Sequence, residues 1–212
     1  MALSRDQRAD QSAATLALPA WSTAIDRKWV REFLDFYWNI GFFRGHAGKS
    51  KADWLAELWE PWESGDSDSY DANRPADPLL LAQDENRVWN EDCEAGAEAG
   101  ANVYVNEMAR WAGIARGAFE PEDVREEWPG PTSEGPLRLH FKLGDKPHVV
   151  EVAAGEWLDL GLFKKLNAII GPGGSHFADF PTDGQDAYLV VLTTAERDLI
   201  EKNRGLRFEF IE

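Results

Sequence analysis

Residues 43–50 read FRGHAGKS, and Gly48-Lys49-Ser50 is how a phosphate-binding loop ends. In that loop, G-x-x-x-x-G-K-[ST], an early glycine lets the backbone wrap phosphates that the lysine then reaches. Here the early position is Phe43, and only Gly45 lies inside the loop. The preceding stretch, STAIDRKWVREFLDFYWNIGFF, spaces its apolar residues as a helix does, whereas a phosphate loop follows a buried strand. Ser50 with Asp53 instead forms an S-x-x-D signature that opens a helix. The expectation is that ATP and GTP do not bind and that no cofactor is needed.

Other residue types that carry chemistry are scattered. His46, His140, His148 and His176 show neither H-E-x-x-H nor H-x-H spacing, so no two imidazoles are set on one metal. His140 and His148 can meet only across a hairpin, if its register allows. Asp66, Asp68 and Asp71 suggest a calcium loop, but the sixth position holds Asp71 where glycine is required and the twelfth holds Asp77 where a bidentate glutamate belongs. No metal site is expected. Cys93 is the single cysteine, which excludes an internal disulfide, and a buried small residue is its expected role. No G-x-S-x-G elbow or S-x-x-K signature appears. An enzyme with a carboxylate or histidine site remains the alternative reading, but carboxylates are too abundant to single out an acid/base couple.

Charge is more informative. The 212 residues carry a net charge of −16. Residues 53–134 hold 21 acidic and 5 basic side chains, an excess equal to the whole imbalance. Such a field repels nucleic acid and anionic membranes and speeds encounter with a basic partner; the alternative is a solvated surface that only keeps the protein soluble, and charge alone does not decide between them. No run approaches the roughly 18 apolar residues of a membrane span, and the first residues lack the apolar segment of a secretory signal. The chain reads as cytoplasmic.

Stepping along the chain gives a polar start over 1–20, a helical region over 21–130 and an α+β region over 135–212, which can equally form one continuous domain. Thr23 with Asp26 suggests a cap for a first helix, and Gly41 or Gly45 ends it. A second helix is expected from Lys51 to about Glu60, stopping at Pro61. Residues 78–116 read as helical despite Gly96 and Gly100, and EPEDVREEW reads as a short helix.

Beyond the turn-rich PGPTSEGP the period becomes two. LRLHFKL and HVVEVA form a hairpin about Gly144-Asp145, and EWLDLGLFKKLNAIIG reads as a helix. SHFADF and DAYLVVLT read as strands, Thr193 with Glu196 caps TAERDLIEKN, and LRFEFIE is a last strand. The fold class expected is α+β: a helical N-terminal region packed on a mainly antiparallel C-terminal sheet of order ββαββαβ, with helices on one face.

The stretches NRVWNEDCEAGAEAGANVYVNEMARWAGIARGAFEP, GEWLDLGLFKKLNAIIGPGGSHFADFPTDGQDAYLVVLTTAE and NRGLRFEF resemble a set of uncharacterised bacterial proteins of similar size. In style they are also similar to immunity proteins of bacterial toxin systems, which are acidic, tryptophan-rich and free of catalytic motifs. The resemblance spans about residues 85–212 and implies a fold more than an activity, so no functional residue is carried over from it. What it implies is a protein that binds a basic partner, such as a toxin. Independently, charge gives on-rate and aromatic anchors give residence, which nominates Trp59, Glu60, Trp62, Glu63, Asp66, Asp68, Trp89, Glu91, Asp92 and Glu94 as partner-binding residues.

Overall fold

The structure, a computed structural model, describes residues 22–64, 77–94, 98–130, 135–153, 155, 157–180 and 186–208. Helix α1 (Ser22–Asn39) buries Trp29, Val30, Phe33, Leu34 and Tyr37 on the stripe that the 3.6-residue period dictates. It ends where Gly41 takes φ +97°. The Gly41 N–H then donates to Trp38 C=O (3.1 Å) and the Phe42 N–H to Tyr37 C=O (3.0 Å), which satisfies the orphan carbonyls. The helix starts at Ser22, so Thr23 lies within it, and the side chains of the expected Thr23/Asp26 cap fall outside the described ones.

Helix α2 (Lys51–Ser64) opens on the expected reciprocal cap. The Asp53 N–H donates to Ser50 Oγ (3.2 Å), and the Ser50 N–H donates to Asp53 Oδ2 (2.8 Å). The helix continues past Pro61 to Ser64. A proline near a helix end removes only one backbone donor, and the remaining turn tolerates it.

The stretch expected as helical over 78–116 divides into three elements: α3 (Asp77–Leu81), β1 (Val88–Asp92) and α4 (Val103–Ile114). Strand β1 forms because β6 (Asp186–Leu192), distant in sequence, supplies its ladder, with Trp89 opposite Leu189 and Glu91 opposite Ala187. EPEDVREEW is likewise corrected from helix to β2 (Pro121–Glu127). It pairs antiparallel with β3 (Leu137–Leu143) through a bulge between Glu122 and Arg125, where Asp123 has φ +53°. The β3–β4 hairpin forms as expected, with β4 spanning Lys146–Val152.

Helix α5 (Leu162–Ile170) starts six residues later than Glu156. Before it the chain turns instead: Asp159 accepts the N–H groups of Ala153 and Gly161, and the Leu160 N–H donates to Leu158 C=O (3.0 Å). β5 (His176–Asp179) and α6 (Thr194–Arg204) follow, the latter with a complete Thr193/Glu196 capping box. Residues 205–208 are not a strand, and 209–212 lie outside the described residues.

The protein is thus α+β, with two three-stranded antiparallel sheets ordered β1-β6-β5 and β2-β3-β4. The first sheet is central, and helices cover both of its faces rather than one. Val88, Ala178, Tyr188, Val190 and Leu192 pack with α1, α2, α3 and α6; Trp89, Phe177, Ala187, Leu189 and Val191 pack with α4, α5 and the inner face of the second sheet. Two-sided burial explains the unbroken apolar run of DAYLVVL, a pattern that antiparallel strands with one wet face do not show. No helix among the described residues is long and apolar enough to cross a membrane.

One polar cluster ties the helix-side core together. Tyr37 OH donates to Asp77 Oδ2 (2.7 Å), while Arg204 forks onto both Asp77 oxygens through Nε and a terminal nitrogen (2.7 Å each). Burial, reinforced by the Asp77 charge, drives the Tyr37 phenol pKa well above its ordinary value; burial pushes that of Tyr104 up to about 12. Because both phenols favour the neutral form in the fold, their contribution is complete below about pH 10 and drains away as pH rises past the unfolded value. An alkaline titration followed by phenolate absorbance is expected to leave Tyr37 un-ionised until the chain unfolds, with stability declining above about pH 10. Ionisation of Tyr37 at pH 10 with the fold intact contradicts this.

Candidate functional site

The FRGHAGKS loop does wrap an anion, but the anion belongs to the chain. The Asp84 carboxylate is fully buried and accepts the Phe43 N–H and, through its other oxygen, His46 Nε2 (2.8 Å). Phe43 itself takes φ +63°, the backbone region that a glycine would adopt without strain, and burial of its ring against Trp54 and Phe33 offsets that cost. Lys49 points to neither: its ammonium pairs with Glu57 (2.5 Å) and lies 3.6 Å from the Trp54 ring centre. The Phe43 N–H, the His46 ring and the Lys49 ammonium are therefore engaged internally.

The histidines do not converge. His140 lies opposite Val149, and His148 lies opposite Phe141, so the hairpin register is one residue away from pairing them and puts them on opposite faces. His140 Nε2 sits 2.8 Å from Glu127 on the outer face of the second sheet, and His176 Nε2 contacts Gly171 C=O (2.9 Å). Burial pushes the Cys93 thiol up to about 11, which suits a packing role rather than nucleophilic attack. No cluster of three or more His, Cys, Asp or Glu among the described residues is arranged to hold a metal.

What the fold does build is a cleft of about 410 Å3 at the β1 edge of the central sheet. It is lined by Val88, Trp89 and Asn90 of β1, by Arg110 and Ile114 of α4, and by Ala82 and Glu85 from the segment between α3 and β1. Trp89 is buried, with 2% of its surface exposed, and its indole N–H donates to Glu107 (2.6 Å). Arg110 lies over the Trp89 ring, 5.8 Å from its centre, and is held by Glu91 and Glu107. Burial works against the guanidinium, but the Glu91 hydrogen bond and Glu107 charge outweigh it and raise its pKa. Glu85, which also lines the cleft, is exposed and has no ion-pair partner among the described residues.

Of the nominated residues, the structure brings Trp89, Glu91, Asp92 and Glu94 together on and just after β1. Asp92 and Glu94 are exposed, and Asp186 lies across the ladder from Asp92. Trp89 is corrected from exposed anchor to core residue, because α4 covers its ring. Trp59 is partly buried against the helix-side core, and Glu60 is exposed on α2. The side chains of Trp62 and Glu63 lie outside the described ones, and Asp66 and Asp68 outside the described residues.

The exposed aromatic beside the acids is one that sequence reasoning missed. Trp157 is 46% exposed, and the bond from the Leu158 N–H to Cys93 C=O (3.0 Å) fixes it next to the Asp92–Glu94 segment. Its position inside an expected helix concealed this. No family model, curated protein or solved structure matches the chain.

Proposed function

We propose that this is a protein-binding protein, an inhibitor or immunity protein in the style of bacterial toxin systems, which captures a basic partner at the acidic edge of its central sheet. The observation that carries the reading is the charge balance there. Glu85 and Arg110 line the cleft, Arg110 is already shared by Glu91 and Glu107, and Asp92 follows Glu91 as an exposed acid on the same strand. A basic side chain brought by a partner meets Glu85, which has no ion-pair partner among the described residues, and the exposed Trp157 offers a large, stiff anchor on the same side of the acidic segment as Cys93.

The partner can be captured from the source cells with the full chain as bait and its binding then followed at increasing salt. Exposed charges are screened beyond about 10 Å at 0.1 M salt, so association is expected to slow markedly while dissociation changes less. Glu85→Lys should slow association by about tenfold. Trp157→Ala should instead speed dissociation by about tenfold or more. Neither should move stability by more than about 0.5 kcal/mol, since both side chains are exposed. An association rate indifferent to both salt and Glu85→Lys would sink the reading even if binding were real.

A further inference from the structure

Resting on that binding reading, we infer that the open edge of β1 takes an extended, lysine- or arginine-bearing segment of the partner as an added strand. Three consecutive residues, Val88, Trp89 and Asn90, line one cleft. Successive strand side chains point to opposite faces, and here Val88 enters the helix-side core while Trp89 enters the other. A cleft that meets all three therefore meets the strand from its edge.

The ladder shows which backbone groups that edge presents. The Phe180 N–H donates to Tyr188 C=O (3.0 Å), so Tyr188 and its alternate neighbours in β6 face β5. Ala187 and Leu189 face β1 and bond Glu91 and Trp89. The N–H and C=O groups of Val88, Asn90 and Asp92 consequently point away from the sheet. The Val88 N–H is taken by Asp84 C=O (2.9 Å). Nothing among the described residues takes the Asn90 N–H or C=O.

The opposite edge is treated differently. There the outward groups of Phe177 are matched by a buried side-chain amide: the Phe177 N–H donates to Asn167 Oδ1 and Asn167 Nδ2 donates to Phe177 C=O, both at 2.8 Å. The fold closes one edge of the sheet and leaves the other facing a cleft, the arrangement that strand addition uses.

Charge selects the occupant. An added strand sends its side chains alternately to either side, and the cleft offers Glu85, a carboxylate with no ion-pair partner among the described residues, while its Arg110 is already shared by Glu91 and Glu107. A second copy of this chain would instead bring two sets of Glu85, Glu91, Asp92 and Glu94 face to face, which like charges oppose.

The test uses the full chain and three capped hexapeptides: one alternating lysine and threonine, its analogue N-methylated at alternate residues, and one alternating glutamate and threonine. The basic peptide is expected to slow exchange of the Asn90 amide proton by about tenfold or more and leave the Phe177 amide unchanged. N-methylation should weaken its binding by about tenfold, and the acidic peptide should bind at least that much more weakly. In Asn90→Pro the lost N–H is the outward one, so the β1–β6 ladder and the melting temperature should survive while peptide binding falls about tenfold.

Equal binding of the N-methylated peptide overturns strand addition but leaves charge capture standing. Equal binding of the acidic peptide overturns the basic occupant. Protection of Asn90 in a dimer of the chain alone assigns the edge to a second copy and overturns the proposal. Absence of Asn90 protection with all three peptides also overturns it, and the salt dependence of the captured partner then decides the wider reading separately.

Discussion

Arg204→Ala is expected to destabilise the protein by about 3–5 kcal/mol, because it strands a buried carboxylate. Asp77 retains 7% exposure, and both oxygens accept from the Arg204 fork, leaving only the Tyr37 hydroxyl once the guanidinium is gone. Packing is lost as well, since the guanidinium lies 5.5–5.9 Å from the ring centres of Trp29, Phe33, Phe36 and Tyr37. Arg204→Lys should recover only part of the loss, because an ammonium cannot reproduce the fork. Asp77→Leu combined with Arg204→Met should restore most of the stability, since a buried pair replaced by apolar groups is often neutral. Urea unfolding of Arg204→Ala and Arg204→Lys, and of Asp77→Leu, Arg204→Met and their double variant read as a double-mutant cycle, checks this. A loss below about 1 kcal/mol in Arg204→Ala would show that water reaches Asp77.

Asp84→Ala is expected to cost about 3 kcal/mol and to disturb the cleft at the same time. The carboxylate has no exposed surface and holds two donors, the Phe43 N–H and His46 Nε2. Leaving buried donors unsatisfied costs about 1–3 kcal/mol each. Phe43 would keep its left-handed backbone, about 1–3 kcal/mol of strain, without the acceptor that holds it. Asp84 also stands next to Glu85, and its own carbonyl accepts the N–H groups of Arg87 and Val88 (2.9 Å each), so the wall of the cleft is hung on the same residue. Unfolding measurements give the first effect, and weaker binding of the basic hexapeptide gives the second. Unchanged stability would mean that the loop at 43–50 stands without its internal anion.

Several short-range signals set the boundaries they announce, although Pro61 does not stop α2. Ser50 with Asp53, Thr193 with Glu196, Gly41 at a helix end and Gly144-Asp145 at a hairpin are instructions carried within four residues. What escaped the sequence depends on distant partners. RVWNED becomes a strand because β6 pairs with it from the far end of the chain, and α4 turns Trp89 from a surface anchor into core. EPEDVREE, rich in residues that favour a helix start, is recruited as an edge strand by β3. The candidate site was half legible. The acids of residues 91–94 stood out by charge, but the cleft needs α4 and the 82–85 segment beside them, and Trp157 owes its place there to a main-chain bond with Cys93.

The two ends of the central sheet give it a valence of one. Growth of a sheet from molecule to molecule in a head-to-tail series requires each copy to offer two free margins, and the Asn167 amide occupies the position a neighbour would need at Phe177. Among the described residues, a fibre propagating through this sheet meets that amide at Phe177 in place of a free margin. Any pairing at the remaining margin, whether with a foreign segment or with a twin, is complete after a single addition and closes the assembly.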